Sequence, residues 1–73
     1  MPELPPPADE SAGRLRRAGW MIAEAVFAGP AMETLWFVRG VNGENLLQAH
    51  GSTRDRAWWR ACEQAAAVGM LAR

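Results

Sequence analysis

The chain has no lysine and no tyrosine, a single histidine and a single cysteine. Each shortage removes a class of chemistry. A lone Cys62 can close no internal disulfide and anchor no thiolate metal cluster, so a reducing, cytoplasmic setting is expected. His50 has only Cys62 as a conceivable nucleophilic partner. Such a pair would need both side chains within hydrogen-bond reach and a third group orienting the ring. A structural, capped or solvated His50 and an inert, partly buried Cys62 are the expectation. No two carboxylates stand apart in an apolar context for acid–base work. Gly40-Val41-Asn42-Gly43 is too short and too turn-like to cradle phosphate. The expectation is a protein with no enzymatic activity, cofactor, metal or small-molecule substrate.

An excess of charge of either sign is also missing. Eight arginines balance eight acidic residues and the net charge is zero, so nothing draws the chain strongly to nucleic acid or anionic lipid. Arginine-only basic usage with abundant alanine and glycine reads as the codon bias of a GC-rich, bacterial genome. No apolar run approaches the ~20 residues needed to span a bilayer. Arg14 to Met32 places basic residues before an apolar stretch, as a secretion signal does, but Glu24 interrupts that stretch and argues against cleavage. Met32 is an alternative start to Met1, and a product beginning there would lack the first helix.

Bulky aliphatic residues are scarce too. Hydrophobic residues make up 49% of 73, and alanine is the commonest of them. A chain this short buries only ~60% of the surface its unfolded form exposes. One small domain with a core poor in volume is expected, and self-association is a standard remedy for that.

Four of the five prolines fall in Met1 to Ser11, "MPELPPPADES". This stretch lacks periodicity and is expected to be a disordered leader, residues 1–11, ahead of a domain over 12–73. The Pro-x-x-Pro spacing of Pro2 and Pro5 is read as part of that leader. From Ala12 to Ala28, Leu15, Ala18, Gly19, Ile22, Ala25 and Val26 recur at helical spacing. The spacing predicts a helix over 12–28, capped by Asp9, Glu10 or Ser11 and stopped by Gly29-Pro30. Thr34 to His50 predicts a β-hairpin, strands about 34–40 and 45–50, around an Asn42-Gly43 turn. Val38, Leu47, Trp36 and Ala49 then share an apolar face, while Leu35, Phe37, Arg39, Leu46, Gln48 and His50 share a mixed one. A final helix is expected over 54–72, with Thr53 or Ser52 as its cap and Asp55 and Arg73 suiting its dipole. The fold class is therefore α+β, in the order helix–hairpin–helix (αββα).

The last helix carries adjacent indoles in "RAWWRAC". At 100° per residue, Ala57, Trp58, Ala61, Ala65, Val68 and Ala72 form the buried stripe, with Cys62 and Gly69 at its edge. Trp59 projects almost opposite, in line with Glu63, Ala66 and Met70. On the first helix Trp20 and Phe27, seven residues apart, form a second apolar patch. Trp59, Ala66, Met70, Trp20 and Phe27 are the candidate protein interface, because Trp and Met are enriched at the centres of such patches. The plainer reading lays Trp59 flat on the stems of Arg56 or Glu63. An alternative from another class is nucleic-acid contact through Arg14, Arg16, Arg17, Arg54, Arg56 and Arg60 at the two helix starts, with Trp59 as a stacking surface.

The segment "AHGSTRDRAWWRACEQA" resembles the strand-to-helix corner of HicB-type antitoxins, where a strand, a glycine, a capping threonine and a following alanine open a helix. Arg56 stands where that family usually has an acidic residue, and its Pro-Gly segment before the corner is absent here. The resemblance implies a small partner-neutralising protein that associates with itself. Together these readings favour a protein-interaction module, a homodimer or a subunit docked on a larger protein.

Overall fold

Gly19 sets the architecture of the first half. The computed structural model describes residues 4–71, and in it Gly19 has φ +95°, a left-handed conformation that costs other residues energy. Helix α1 (Ala8–Arg17) ends there. The Gly19 N–H donates to Arg16 O at 3.0 Å and the Trp20 N–H to Leu15 O at 3.0 Å, the paired bonds of a Schellman cap. Beyond it the chain is extended. The helix expected over 12–28 is therefore a shorter helix followed by strand β1 (Met21–Ala28).

Strands β2 (Thr34–Asn42) and β3 (Asn45–Gly51) and helix α2 (Arg54–Ala67) follow. The class is α+β, as expected, but the order is helix–strand–strand–strand–helix, with an antiparallel sheet ordered β1-β2-β3. The turn between β2 and β3 is Gly43-Glu44 rather than Asn42-Gly43, because Asn42 pairs with Asn45. Gly43, at φ +63°, takes the first central position, where a type II′ turn requires glycine. Pairing slides by two residues from the expected register, so each side chain keeps its expected face. Between β1 and β2 the Gly29 N–H donates to Glu33 O at 2.7 Å, and Gly29-Pro30 turns a hairpin instead of ending a helix.

Helix α1 begins at Ala8, inside the stretch read as a leader, and Ala8 and Ser11 are buried. Pro7 occupies its cap position without a side-chain bond. The cap comes from the other helix: the Ala8 N–H donates to Asp55 Oδ1 at 2.8 Å. Disorder over 1–11 thus gives way to helix from residue 8, while residues 1–3, with Pro2, lie outside the described residues. Thr53 opens α2 as expected, its Oγ1 accepting from the Arg56 N–H at 3.2 Å. That helix ends at a second Schellman cap, Gly69 N–H to Ala66 O and Met70 N–H to Ala65 O, both 2.9 Å. It therefore stops short of 72, and Ala72 and Arg73 lie outside the described residues. The Trp20 Nε1–H donates to Met70 O at 2.7 Å, tying the two helix ends together.

Both helices lie on one face of the sheet. Leu15 and Trp20 from the first half, Val38 and Leu47 from the sheet, and Trp58 and Cys62 from α2 fill the core among alanines. Alanine and glycine make this close approach possible. A Cβ on Gly51 would sit 2.9 Å from the Ala57 backbone nitrogen, so glycine there lets α2 rest directly on β3.

Candidate functional site

Side chains alternate across a strand, and the registers sort them into two faces. Ile22, Glu24 and Val26, Trp36, Val38 and Gly40, and Leu47, Ala49 and Gly51 look toward the helices. The other face has no element over it among the described residues. Across it, Met21, Val41 and Leu46 form one row; Ala23, Arg39 and Gln48 the next; Ala25, Phe37 and His50 a third; Phe27 and Leu35 the last. Met21 is 78% exposed, Leu46 75%, Phe27 56% and Val41 45%. The rings form a connected group, Phe27 meeting Phe37 edge-on at 5.4 Å and Phe37 lying 5.7 Å from His50. An apolar surface of this kind, rimmed and crossed by a few polar groups, is the usual physical signature of a contact site.

The two edges of the sheet differ as sharply. Along β3 the Gln64 side chain takes the place of a neighbouring strand: its Oε1 accepts from the Gln48 N–H at 3.0 Å and its Nε2 donates to Gln48 O at 2.6 Å. Arg60 Nη1 donates to His50 O at 2.9 Å. These bonds show that bare-face residues of β3 turn their backbone groups outward. By alternation, the β3 residues on the covered face bond to β2, and the bare-face residues of β2 bond to β1. The outward groups of β1 are therefore those of Ile22, Glu24, Val26 and Ala28, and no hydrogen bond among the described residues reaches them.

Glu24 is the only charged strand residue on the covered face. Its Oε1 accepts from Trp58 Nε1 at 2.7 Å and from Arg54 Nε at 2.6 Å. The indole bond lowers the carboxyl pKa most; partial burial opposes it, and the Arg54 hydrogen bond and charge add to the lowering. Arg54 is raised in turn, chiefly by its bond to Glu24, and also reaches Asp9 at 3.5 Å. Cys62 donates to Ser11 O at 3.5 Å, and burial raises its pKa. His50 lies on the opposite face of the sheet, so the two cannot act as a dyad.

The five residues read as an interface are not gathered into one surface. Trp20 is enclosed, 3% exposed, because it belongs to the Schellman cap and not to a helix surface. Phe27 stands on the bare face because Met21–Ala28 is a strand and not a helix. Trp59 and Met70 are half-buried against the core, and Ala66 is exposed. Leu4, Pro5 and Pro6 line one cleft with Trp59, so the proline-rich segment gives the second indole part of its shelter. The expected buried stripe of α2 holds at Ala57, Trp58, Ala61, Cys62 and Ala65; Val68, past the helix end, is exposed.

The arginine clusters are partly brought together. Arg14, Arg56 and Arg60 line the Trp59 cleft, along with Glu10 and Glu63. Arg54 is engaged by Glu24 and Asp9, and Arg16 and Arg17 are exposed on α1. Half of the bare face is visible in sequence, since its β2–β3 side chains are the mixed face of the expected hairpin. Its β1 side chains were missed with the strand itself. Among the described residues, no helix is long and apolar enough to cross a membrane. Comparison with protein-family models, with curated proteins and with solved structures gives no match to this chain.

Proposed function

We propose that this chain is a non-enzymatic protein-interaction module whose contact surface is the bare face of its sheet. The observation carrying the reading is the concentration of exposed apolar side chains there, Met21, Phe27, Val41 and Leu46 together. A chain short of core volume would stabilise itself by burying these residues if it could. Their burial in a complex is worth ~25 cal/mol per Å² removed from water, before the cost of association. The central Arg39 and Gln48 would give orientation to an otherwise greasy contact. The test compares wild type with a Phe27→Glu, Leu46→Glu double variant, reading solution mass and partners retained by the tagged chain in its host. The variant keeps its far-UV spectrum and loses the proteins that the wild-type chain retains, whatever its own mass. An unchanged partner set would end the reading.

A second reading, nucleic-acid contact, is favoured by the convergence of Arg14, Arg56 and Arg60 on Trp59. Glu10 and Glu63 in the same cleft weaken its pull on phosphate, and Arg54 is already paired. Titration with single- and double-stranded oligonucleotides at two salt concentrations decides it, because phosphate contacts weaken steeply with salt.

A further inference from the structure

The two edges of the sheet point to a specific self-association. We propose that β1 pairs antiparallel with β1 of a second copy, making one continuous six-stranded sheet with a two-fold axis beside Ala25. This rests on the reading of the chain as an interaction module and names its first partner.

Open edge strands are normally guarded by lysine, proline, a bulge or an inward-pointing charge, because their unpaired N–H and C=O groups template further pairing. The segment Met21–Ala28, MIAEAVFA, contains no proline, lysine or glycine. Its one charge, Glu24, points inward as such a guard does, but Trp58 and Arg54 already pair it, so a strand added beside it would bury no unpaired charge. Eight extended residues present about 27 Å of edge. The opposite edge is closed by Gln64 and Arg60, as described. A molecule with one open and one closed edge cannot add copies head to tail; it can only pair open edge to open edge, and the assembly stops at two.

Side-chain sizes and charge select the register. Pairing Glu24 with Glu24 of the other copy would oppose like charges, which destabilises a strand pair. Centring on Ala25 instead pairs Glu24 with Val26 and Ile22 with Ala28, engaging all four outward-facing residues of each strand. On the bare face, Phe27 then lies across from Ala23, and Ala25 from Ala25. Every bulky side chain meets a small or slender one. Val26, half exposed although it is on the helix side, comes beside the Glu24 and Trp58 of the other copy. The two bare faces merge into one surface, open for the larger partner.

The test uses the full chain. Light scattering should give twice the 8.0 kDa chain mass. Val26→Pro removes an outward N–H and leaves the bonds to β2 in place, so it should yield a folded monomer. Val26→Lys, which guards the edge by charge, should do the same if the proline variant fails to fold. Ala25→Cys places two thiols at a non-hydrogen-bonded pair, where Cα atoms are about 4.5 Å apart. It should cross-link to a covalent dimer under mild oxidation, whereas Ala23→Cys should not. Wild type is the control, since its own Cys62 is buried. A strictly monomeric wild type overturns the proposal, including when β1 is occupied by a different protein in the host. A dimer that survives Val26→Lys and gives no Ala25→Cys cross-link also overturns it. In that case the module reading stands, and it is judged by the Phe27→Glu, Leu46→Glu variant.

Discussion

Under α2, Val38 and Ala49 face each other across β2 and β3, both almost wholly enclosed. One residue along each strand, Phe37 and His50 face each other on the opposite side, with no helix above them. Small residues let the covered face be approached closely: Gly51 rests against Ala57 of α2 and Gly40 lies under Trp20, with Ala49, Ala61 and Ala65 in the same core. Two indoles, Trp58 and Trp20, then fill much of the remaining space. The bare face holds both phenylalanines and two of the most exposed large side chains, Met21 and Leu46. Poverty of core volume is thus not a shortage of apolar residues. It is a matter of where they were placed, outside the core and exposed.

The largest expected effect on this contrast comes from the residue that fills the covered face. Trp58→Ala should cost about 3–5 kcal/mol in urea unfolding, enough to unfold most of a domain of this size. Trp59→Ala, its neighbour on the far side of the helix, should cost about 1 kcal/mol, since the cleft lined by Leu4, Pro5 and Pro6 only half covers it. Equal losses would mean that the two sides of α2 are not distinguished as described.

A smaller effect tests closeness of approach. Gly51→Ala puts a methyl group against the Ala57 backbone, and backbone cannot swing aside as a side-chain end can. The cost should be about 1–3 kcal/mol by thermal or urea unfolding. Leu46→Ala on the bare face, measured on the monomeric chain, should stay within about 0.5 kcal/mol. If both substitutions were neutral, α2 would not rest on β3 as tightly as the glycine implies.

Sequence pattern made the second half of the molecule legible and concealed much of the first. The β2–β3 hairpin announced itself through Asn42-Gly43 and an alternation that sorts Val38 and Leu47 from Arg39 and Gln48. Thr53, Trp58 and the alanine stripe announced α2. Strand β1 gave no such alternation: Ile22 and Val26 face the helices, but Met21, Ala23, Ala25 and Phe27 on the other side are apolar or small as well. A strand apolar on both faces matches a helical spacing by chance, and its alanines favour that reading. The signal that separates the two is Gly19 followed by a large apolar residue. The same arrangement recurs at Gly69-Met70, where the second helix ends. Read as a pair of Schellman caps, these two glycines would have divided helix from strand at the right place. The contribution of Asp55 to the start of α1 could not be read from sequence, because the two residues that meet are 47 apart.

The smallest effect sharpens the contrast at its one electrostatic point. Glu24 is folded with a carboxyl pKa below its ordinary 4.5, held down first by the Trp58 indole and then by Arg54. A lowered folded-state pKa means that the unfolded chain binds the proton more readily. The stabilisation is therefore complete above pH 4.5 and is lost as the pH falls through the lower, folded value. Glu24→Gln keeps an oxygen for the indole but removes the charge, so it should cost less than about 1 kcal/mol at neutral pH, the usual worth of a partly solvated ion pair. Its signature is a shallower loss of stability in acid than wild type shows, read from urea midpoints on either side of pH 4.5. Trp58→Phe should flatten the same limb by removing the donor while leaving most of the ring. Parallel acid limbs in wild type and both variants would place the proton uptake elsewhere and would detach this carboxylate from the indole that covers the sheet.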